Sequence, residues 1–457
     1  MKRLSELLQG IDIHWTLHGD AEVQGIQVDS RKVQAGDLFV ALVGTQQDGH
    51  QFLQDALARG ASALLVSNRD AVPSGTPAWA WVENTREALW RLAQRFYDDP
   101  SRHLIVVGIT GTNGKTTTAH LMHAIFEAAG LPCARIGTLG ATLPPSPALP
   151  DTAAPSITLT TPEAFEIQAI LQEAWRRGAR AAVMEVSSHA LDQRRADGIR
   201  FDAAIFTNLT QDHLDYHHTM EAYAHAKLRL FTDLARQSSK PFRAVINLDA
   251  EWGEWFAKRA EGDLWTYGVH PDARVRAEQI EFGIEGIRFV AKQGSLCFPV
   301  QLRLSAPYNL HNALGAIAAA LSLGLPVEAI QQGLLQVERV PGRFERVPLD
   351  APFEVIVDYA HTPDALRRLL QAARALQPSR LTVLFGCGGD RDPTKRPLMG
   401  AIAAELADRV ILTSDNPRTE PPERILQQIL EGVPMEARTK VIAVEPDRRT
   451  AIALALH

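Results

Sequence analysis

Residues 104–126 read LIVVGITGTNGKTTTAHLMHAIF: an apolar, β-branched run, a glycine-rich turn, a Lys-Thr pair, then apolar residues at helical spacing. A continuously apolar strand that feeds a helix in this way belongs in a parallel sheet with helices on both faces. Backbone N–H groups of such a turn, at a helix N-terminus, suit phosphate oxygens; Lys115 would neutralise the β/γ charge and the Thr116 hydroxyl would reach Mg²⁺. ATP is the expected ligand, held by Gly111, Thr112, Asn113, Gly114, Lys115, Thr116 and Thr117. The loop is a variant. Gly108 falls one residue too early for the G-x-x-x-x-G-K-T spacing, and Ile109 stands in its place.

The remaining sequence extends this α/β pattern to three domains. A chain of 457 residues, 46% hydrophobic and 22% charged, has the composition of a globular protein and the length of about three domains. Residues 1–99 alternate short apolar runs with turn signals and read as a small α/β unit, closed by the polar YDDPSRH linker. Residues 100–340 carry strand-like LIVVGI, RAAVMEV, DAAIFTN and RAVINL between helix-like stretches, the pattern of a parallel sheet with crossover helices. After the Pro-Gly punctuation of VERVPGRFE, residues 341–457 form a third, smaller α/β domain, with FEVIVDYA, RLTVLFG and RVILTSD as its strands. PPSPALPDTAAP is expected to be an exposed loop.

Charge and cysteine content bound the partners. The net charge of −6 gives no bulk positive field for nucleic acid or an anionic membrane, so an anionic ligand needs a local site. No apolar run is long enough to span a bilayer. Cys133, Cys297 and Cys387 lie far apart without metal-ligand spacing, which fits a reducing cytoplasm rather than a disulfide framework or a structural zinc site.

Several polar residues sit where α/β sheets place chemistry. Glu185 ends RAAVMEV, where a carboxylate either takes a metal ion bridging phosphates or is simply a solvated strand-end acid. In LTQDHLDYHHTM, His213, Asp215 and His217 recur at alternate positions. That spacing suits zinc, and equally a loop in which one histidine meets Mg²⁺ while the others hold hydrogen bonds. Lys227 follows on a helix. Asn309, His311 and Asn312 open a small-residue helix and would either cap it or read an adenine edge. Arg343 offers a guanidinium to phosphate and Asp358 a strand-end acid to a ribose hydroxyl. Arg391 and Arg418, in turn-rich segments after strands, are candidate carboxylate clamps.

Taken in order, GTNGKTTT, EVSSHAL, TNLTQDHLDYH, YNLHN, PGRFE, DYAHTPDAL, GCGGDRD and DNPRTE resemble the Mur ligase family of peptidoglycan synthesis, in the branch that adds the third residue of the peptide stem. The resemblance implies a UDP-sugar-binding domain at 1–99, a central ATPase domain at 100–340 and a Rossmann-like amino-acid-binding domain at 341–457. It implies an ATP- and Mg²⁺-dependent, cytoplasmic ligase, taken as a monomer, with UDP-N-acetylmuramoyl-L-alanyl-D-glutamate and meso-diaminopimelate as substrates. A lysine-adding ligase, a folylpolyglutamate synthase-like ligase and an inactive nucleotide-binding relative are the alternatives. Against the second stand the residues and the DSR motif ahead of the phosphate loop. Against the third stands the joint presence of Lys115, Glu185, His213 and Lys227.

By the same resemblance Ser30, Thr45, Gln46 and Gln47 contact the UDP-sugar, and Thr160, Thr161, Ser187, Gln193 and Arg195 the muramoyl-peptide. Thr116, Glu185, His213 and Lys227 hold Mg²⁺, the lysine as a carbamate, with Lys115, His213 and Lys227 catalytic. Asn312, Arg343 and Asp358 complete the ATP site. Arg391 and the run Asp415, Asn416, Pro417, Arg418 form the amino-acid site. Relatives continue past the position of His457 with a Gly-Lys-Gly-His-Glu segment that contacts the amino acid, so the third domain is expected to be incomplete at its C-terminal end.

Overall fold

The computed structural model describes residues 1–44, 47–145 and 159–457. Strands β1 (Trp15–His18), β2 (Gly25–Gln27), β3 (Asp37–Val40), β4 (Ala63–Val66) and β5 (Trp79–Val82) form a five-stranded sheet in the order 1-5-4-3-2. Its strands run parallel except β1, which pairs antiparallel with β5. The ALLV of β4 is wholly buried, because the sheet is covered on both faces. Helix α1 (Thr85–Phe96) covers one of them with Ala88, Leu89, Leu92 and Ala93, at helical spacing. Asn84 caps it by accepting from the backbone N–H groups of Arg86 and Glu87.

The second sheet has ten strands. They are β6 (Ile105–Thr110), β7 (Cys133–Gly137), β8 (Gly140–Thr142), β9 (Ala181–Glu185), β10 (Ala203–Phe206), β11 (Arg243–Asn247), β12 (Asp263–Gly268), β13 (Val275–Gly283), β14 (Gly286–Gln293) and β15 (Leu296–Leu302). Their order is 8-7-9-6-10-11-12-13-14-15. The seven strands that lie between β8 and β14 in this order are parallel; β8 pairs antiparallel with β7 at one edge, and at the other β14 pairs antiparallel with β13 and β15 with β14. Helices α2 (Lys115–Ala128), α3 (Ala164–Arg176), α4 (Met220–Leu228), α5 (Asn309–Ser322) and α6 (Val327–Gln336) accompany this sheet. The central β6 lies between β9 and β10, so the chain passes to opposite sides from it. Such a switch point opens a crevice at the carboxyl ends of the strands, and ligands bind there.

In the third part, β16 (Glu345–Val347) pairs antiparallel with β17 (Val355–Val357). A separate parallel sheet contains β18 (Thr382–Phe385), β19 (Arg409–Thr413) and β20 (Val441–Glu445). Helices α7 (Pro363–Ala375), α8 (Lys395–Leu406), α9 (Pro422–Glu431) and α10 (Arg448–Leu456) surround it. This corrects the reading of FEVIVDYA as a strand of the third sheet. Only Val355–Val357 is extended, it is at most half-buried, and its partner is Glu345–Val347. The third strand is VIAVE, whose alternating exposure gives a weak signal over five residues. The meander β13–β15 also enlarges the central sheet beyond a purely parallel one. No helix among the described residues is long and apolar enough to cross a membrane.

Candidate active site

The turn after β6 is shaped by two glycines at positive φ. A Cβ on Gly111 (φ +150°) would lie 1.9 Å from Thr207 Oγ1, and one on Gly114 (φ +88°) 2.3 Å from Asn312 Oδ1. The end of β10 clamps the turn: the N–H of Thr112 donates to the Asn208 carbonyl (2.9 Å), that of Asn113 to Asn208 Oδ1 (3.0 Å), and the Thr207 hydroxyl to the Asn113 carbonyl (2.6 Å). Lys115 closes over its own loop, donating from Nζ to the carbonyls of Gly111 (2.8 Å) and Thr112 (2.9 Å). Burial pulls its pKa down, against the opposing charges of Glu185 and Asp212.

Glu185 is the hub of the crevice. It is 2% exposed, and its carboxylate accepts from the Thr116 hydroxyl (3.0 Å) and from the N–H (3.0 Å) and hydroxyl (3.1 Å) of Thr138. A Cβ at Gly137 would stand 2.1 Å from Glu185 Oε1, so a glycine is required beside it. Arg343 arrives from beyond α6 and donates to Thr116 Oγ1 at 3.2 Å. The oxygens of Glu185 and Thr116 form a hard-donor pair suited to Mg²⁺. The strand-end acid is therefore buried and bonded, not solvated.

Lys227 is fully buried on α4 and donates to the same Gly111 carbonyl at 3.0 Å, with its Nζ 4.5 Å from the centroid of the Tyr223 ring. Burial, then the charge of Lys115, drive its pKa well below the usual lysine value, and Asp212 opposes them. As an ammonium it does not fit a cation site; as a neutral amine it fits conversion to a carbamate. His213 has φ +55°, lies 3.5 Å from Asp212, and is pushed down to about 4 chiefly by burial.

His213, Asp215 and His217 do not converge. They occupy a short helical turn, where alternate residues face different ways: Asp215 is exposed, and buried His217 bonds Ser188 Oγ at 2.9 Å and stacks on Tyr223. Among the described residues no three His, Cys, Asp or Glu side chains gather as a metal cluster. The zinc alternative lacks its geometry.

A cavity of about 500 Å³ opens above these groups and is lined by Lys115, Glu185, His213, Asn312, Arg343 and Asp358 among others. Lys227 lies beneath the loop, outside this lining. Asp358 is fixed by the N–H groups of Phe344 (2.7 Å) and Ala360 (2.8 Å). Asn312 donates to Asn309 at 2.9 Å, and the residue preceding α5, Tyr308, makes no side-chain cap. A second chamber, of about 440 Å³, shares Thr138, Thr160, Arg343 and Tyr359 with the first and adds Leu139, Leu159 and Pro341. The Thr138 hydroxyl bonds that of Thr160 (3.2 Å) and the Thr161 hydroxyl the Glu185 carbonyl (2.9 Å). Ser187 N–H donates to Thr161 Oγ1 (3.0 Å), buried Arg195 bonds the Thr161 carbonyl, and Gln193 reaches Tyr216 at 3.3 Å.

The remaining positions lie elsewhere. Ser30 is buried in a turn of the first sheet and Gln47 is exposed there; neither lines the cavity. Thr45, Gln46 and most of the 144–155 segment lie outside the described residues. Arg391, Asp415, Asn416 and Arg418 are exposed and Pro417 half-buried, on two abutting loops after β18 and β19, away from the cavity lining. Gly389 N–H donates to the Asn416 carbonyl at 2.8 Å, and a Cβ on Gly389 would meet Pro417 O at 1.8 Å. Arg418, at φ +52°, bonds the Gly389 carbonyl. Beneath both loops, buried Arg396 forms a bidentate pair with Glu420 (2.8 and 2.9 Å). Thr138 and Arg396 carry no motif signal in the sequence, although Thr138 does follow a strand; Asn208 and Asp212 lie inside TNLTQDHLDYH, but nothing in the spacing marks their roles.

Three family models match in sequence: the Mur ligase family catalytic domain over residues 22–97, the Mur ligase middle domain over 109–320, and the Mur ligase glutamate ligase domain over 342–457. The chain belongs to the Mur ligase family. It is 46% identical over 420 residues to the UDP-N-acetylmuramoyl-L-alanyl-D-glutamate--2,6-diaminopimelate ligase of Geobacter metallireducens, covering 90% of this chain and 80% of the relative. It is 46% identical over 461 residues to the ligase of the same name from Gloeobacter violaceus, covering 99% and 90%. A solved structure of a ligase of that name superposes with a TM-score of 0.65 at 34% identity, covering 95% of this chain and 86% of the other. As a Mur ligase the chain has the three-domain α/β architecture, with a central phosphate-loop domain and a Rossmann-like third domain.

Proposed function

We propose that this Mur ligase joins meso-diaminopimelate to UDP-N-acetylmuramoyl-L-alanyl-D-glutamate at the expense of ATP, in the cytoplasm and as a monomer. The observation that carries the reading is the meeting of the Lys115 loop, Glu185 and Arg343 at one crevice, beside a second chamber large enough for an acceptor. The name shared by the Geobacter and Gloeobacter relatives supports the choice of substrates.

In the proposed division of labour residues 1–99 hold the UDP end through Ser30 and the Thr45–Gln47 loop, residues 100–340 hold ATP, and residues 341–457 bring the amino acid. The loop N–H groups and Lys115 hold the phosphates, Asn312 meets the adenine, and Asp358 the ribose. Thr160, Thr161, Ser187, Gln193 and Arg195 line the path of the muramoyl-peptide. Glu185, Thr116, His213 and Lys227, once carbamylated, would hold Mg²⁺, which when bound neutralises charge between the phosphates and the attacking carboxylate. The substrate carboxylate oxygen bonds to the γ-phosphorus while the bond to the β-phosphate oxygen breaks, releasing ADP. Two anions must meet for this, and Lys115 and Arg343 stabilise the spreading charge. The neutral amine then attacks the acyl carbon, the amide bond forms, phosphate leaves, and the nitrogen gives up a proton. Arg391 and the Asp415–Arg418 loop orient that amine. Phosphate release from ATP should require the UDP-muramoyl-dipeptide and the diamino acid together. Release that ignores either substrate refutes the ligase reading.

A further inference from the structure

Asp364 opens α7 of the third domain, yet its Oδ2 accepts from two side chains of the central domain: Thr210 Oγ1 at 3.2 Å and Asn113 Nδ2 at 3.4 Å. Asn113 is part of the phosphate loop, and its amide also faces Thr210 Oγ1 at 3.4 Å, so three side chains meet where two domains touch. A carboxylate beside a phosphate site opposes the binding of an anion unless its charge is balanced. Arg368, one turn further along α7, balances it at 3.0 and 3.2 Å. Thr362, which caps α7, and Ala365 and Arg368 within it line the cavity, so holding α7 at Asp364 holds a wall of the ATP site.

We propose that Asp364 is a positioning residue that latches the third domain onto the phosphate loop through Asn113 and Thr210, and so sets how readily the domain carrying the amino-acid loops closes over ATP. The inference rests on the ligase reading above. Both bonds are longer than the usual 2.7–3.0 Å, so each is weak and separable. A latch of that strength suits a wall that must open at every turnover to release ADP.

The test uses the full chain and two independent readouts. Small-angle scattering follows the radius of gyration on addition of a non-hydrolysable ATP analogue, and steady-state ligation gives kcat and KM. Native protein should compact with the analogue. Asp364→Ala should lose most of that compaction and about tenfold in kcat, the worth of two weak hydrogen bonds, with KM for ATP changed less than about threefold. Asp364→Asn, which keeps an acceptor oxygen for Thr210 and Asn113, should recover kcat to within about threefold of native. Should Asp364→Ala not fold, Thr210→Val removes one partner from the other side and should cost about threefold in kcat with reduced compaction. Native-like compaction in Asp364→Ala or Thr210→Val, or an Asn variant no better than Ala, overturns the latch. Native protein that compacts with the analogue yet forms no tripeptide would instead overturn the ligase reading.

Discussion

Arg418→Ala should relax the preference for meso-diaminopimelate over lysine, and the structure sets the size of the effect. The two amino acids differ by one carboxylate, and a guanidinium can take that group through two parallel N–H···O bonds. Were Arg418 buried, leaving it unpaired with lysine would cost about 3–5 kcal/mol. It is exposed, however, and one N–H is already engaged by the Gly389 carbonyl. Water therefore serves the unpaired arginine when lysine is bound, and the difference falls toward that of charged hydrogen bonds, about 1.5–3 kcal/mol. At about 1.4 kcal/mol per decade this is a preference of roughly 10–150-fold, smaller than a buried clamp gives. The assay is kcat/KM for both amino acids in native and Arg418→Ala protein, with Arg418→Lys as a third arm; lysine at this position keeps the charge and loses the fork, so it should restore only part of the preference. A native enzyme that adds lysine as readily as the diamino acid, or an alanine variant that keeps the full preference, refutes Arg418 as the selector.

Lys227→Ala should lose at least about a hundredfold in kcat, the scale of a missing group that stabilises transition-state charge, and regain part of it with added acetate; full activity without acetate excludes the carbamate role. His123 is held down to about 4 by burial and the charge of Arg135, and its Nδ1 has no hydrogen-bond partner among the described residues. Below pH ~6.5 the unfolded chain binds a proton there that the folded chain does not, so stability should fall from about pH 6.5 to about 4. His123→Leu should flatten that slope in denaturant titrations at successive pH values, and an unchanged slope counts against it. Arg396→Met leaves Glu420 without its bidentate partner and should cost on the order of 2 kcal/mol, below the buried-pair value because Glu420 is 22% exposed. Unfolding monitored by tryptophan fluorescence measures this, and a loss under about 0.5 kcal/mol, the level of an ordinary surface substitution, refutes the brace.

What could be read ahead of the structure was whatever is local in the chain. The turn after β6 was legible because strand, glycines, Lys115 and α2 are consecutive, and Glu185 because a strand end is marked by its own apolar run. Alternate spacing left two readings open at His213, Asp215 and His217, and zinc falls away because residues two apart share a face only on a strand and this segment turns helically. FEVIVDYA looked like a sheet strand because apolarity cannot distinguish a pair at a domain junction from a sheet interior. The roles of Thr138, of Asn208 inside TNLTQDHLDYH and of Asp364 inside DYAHTPDAL were not legible for another reason: each matters through a partner 47 to 251 residues away.

The same non-local packing explains why a lysine belongs beneath the phosphate loop. Lys115 Nζ and Lys227 Nζ converge on a single carbonyl, that of Gly111, at 2.8 and 3.0 Å. Two buried ammonium groups on one acceptor repel each other with little water to screen them, which favours the neutral form of one of them. Asp212 and Glu185 both oppose the downward pull of burial on Lys115, whereas only Asp212 opposes it at Lys227, which the charge of Lys115 pushes lower still. The pull toward the neutral amine is therefore stronger at Lys227. As the neutral amine Lys227 would add carbon dioxide and release a proton, and the carbamate proposed above would then replace the second positive charge under the loop with a negative one, turning a repulsive pair into an attractive one.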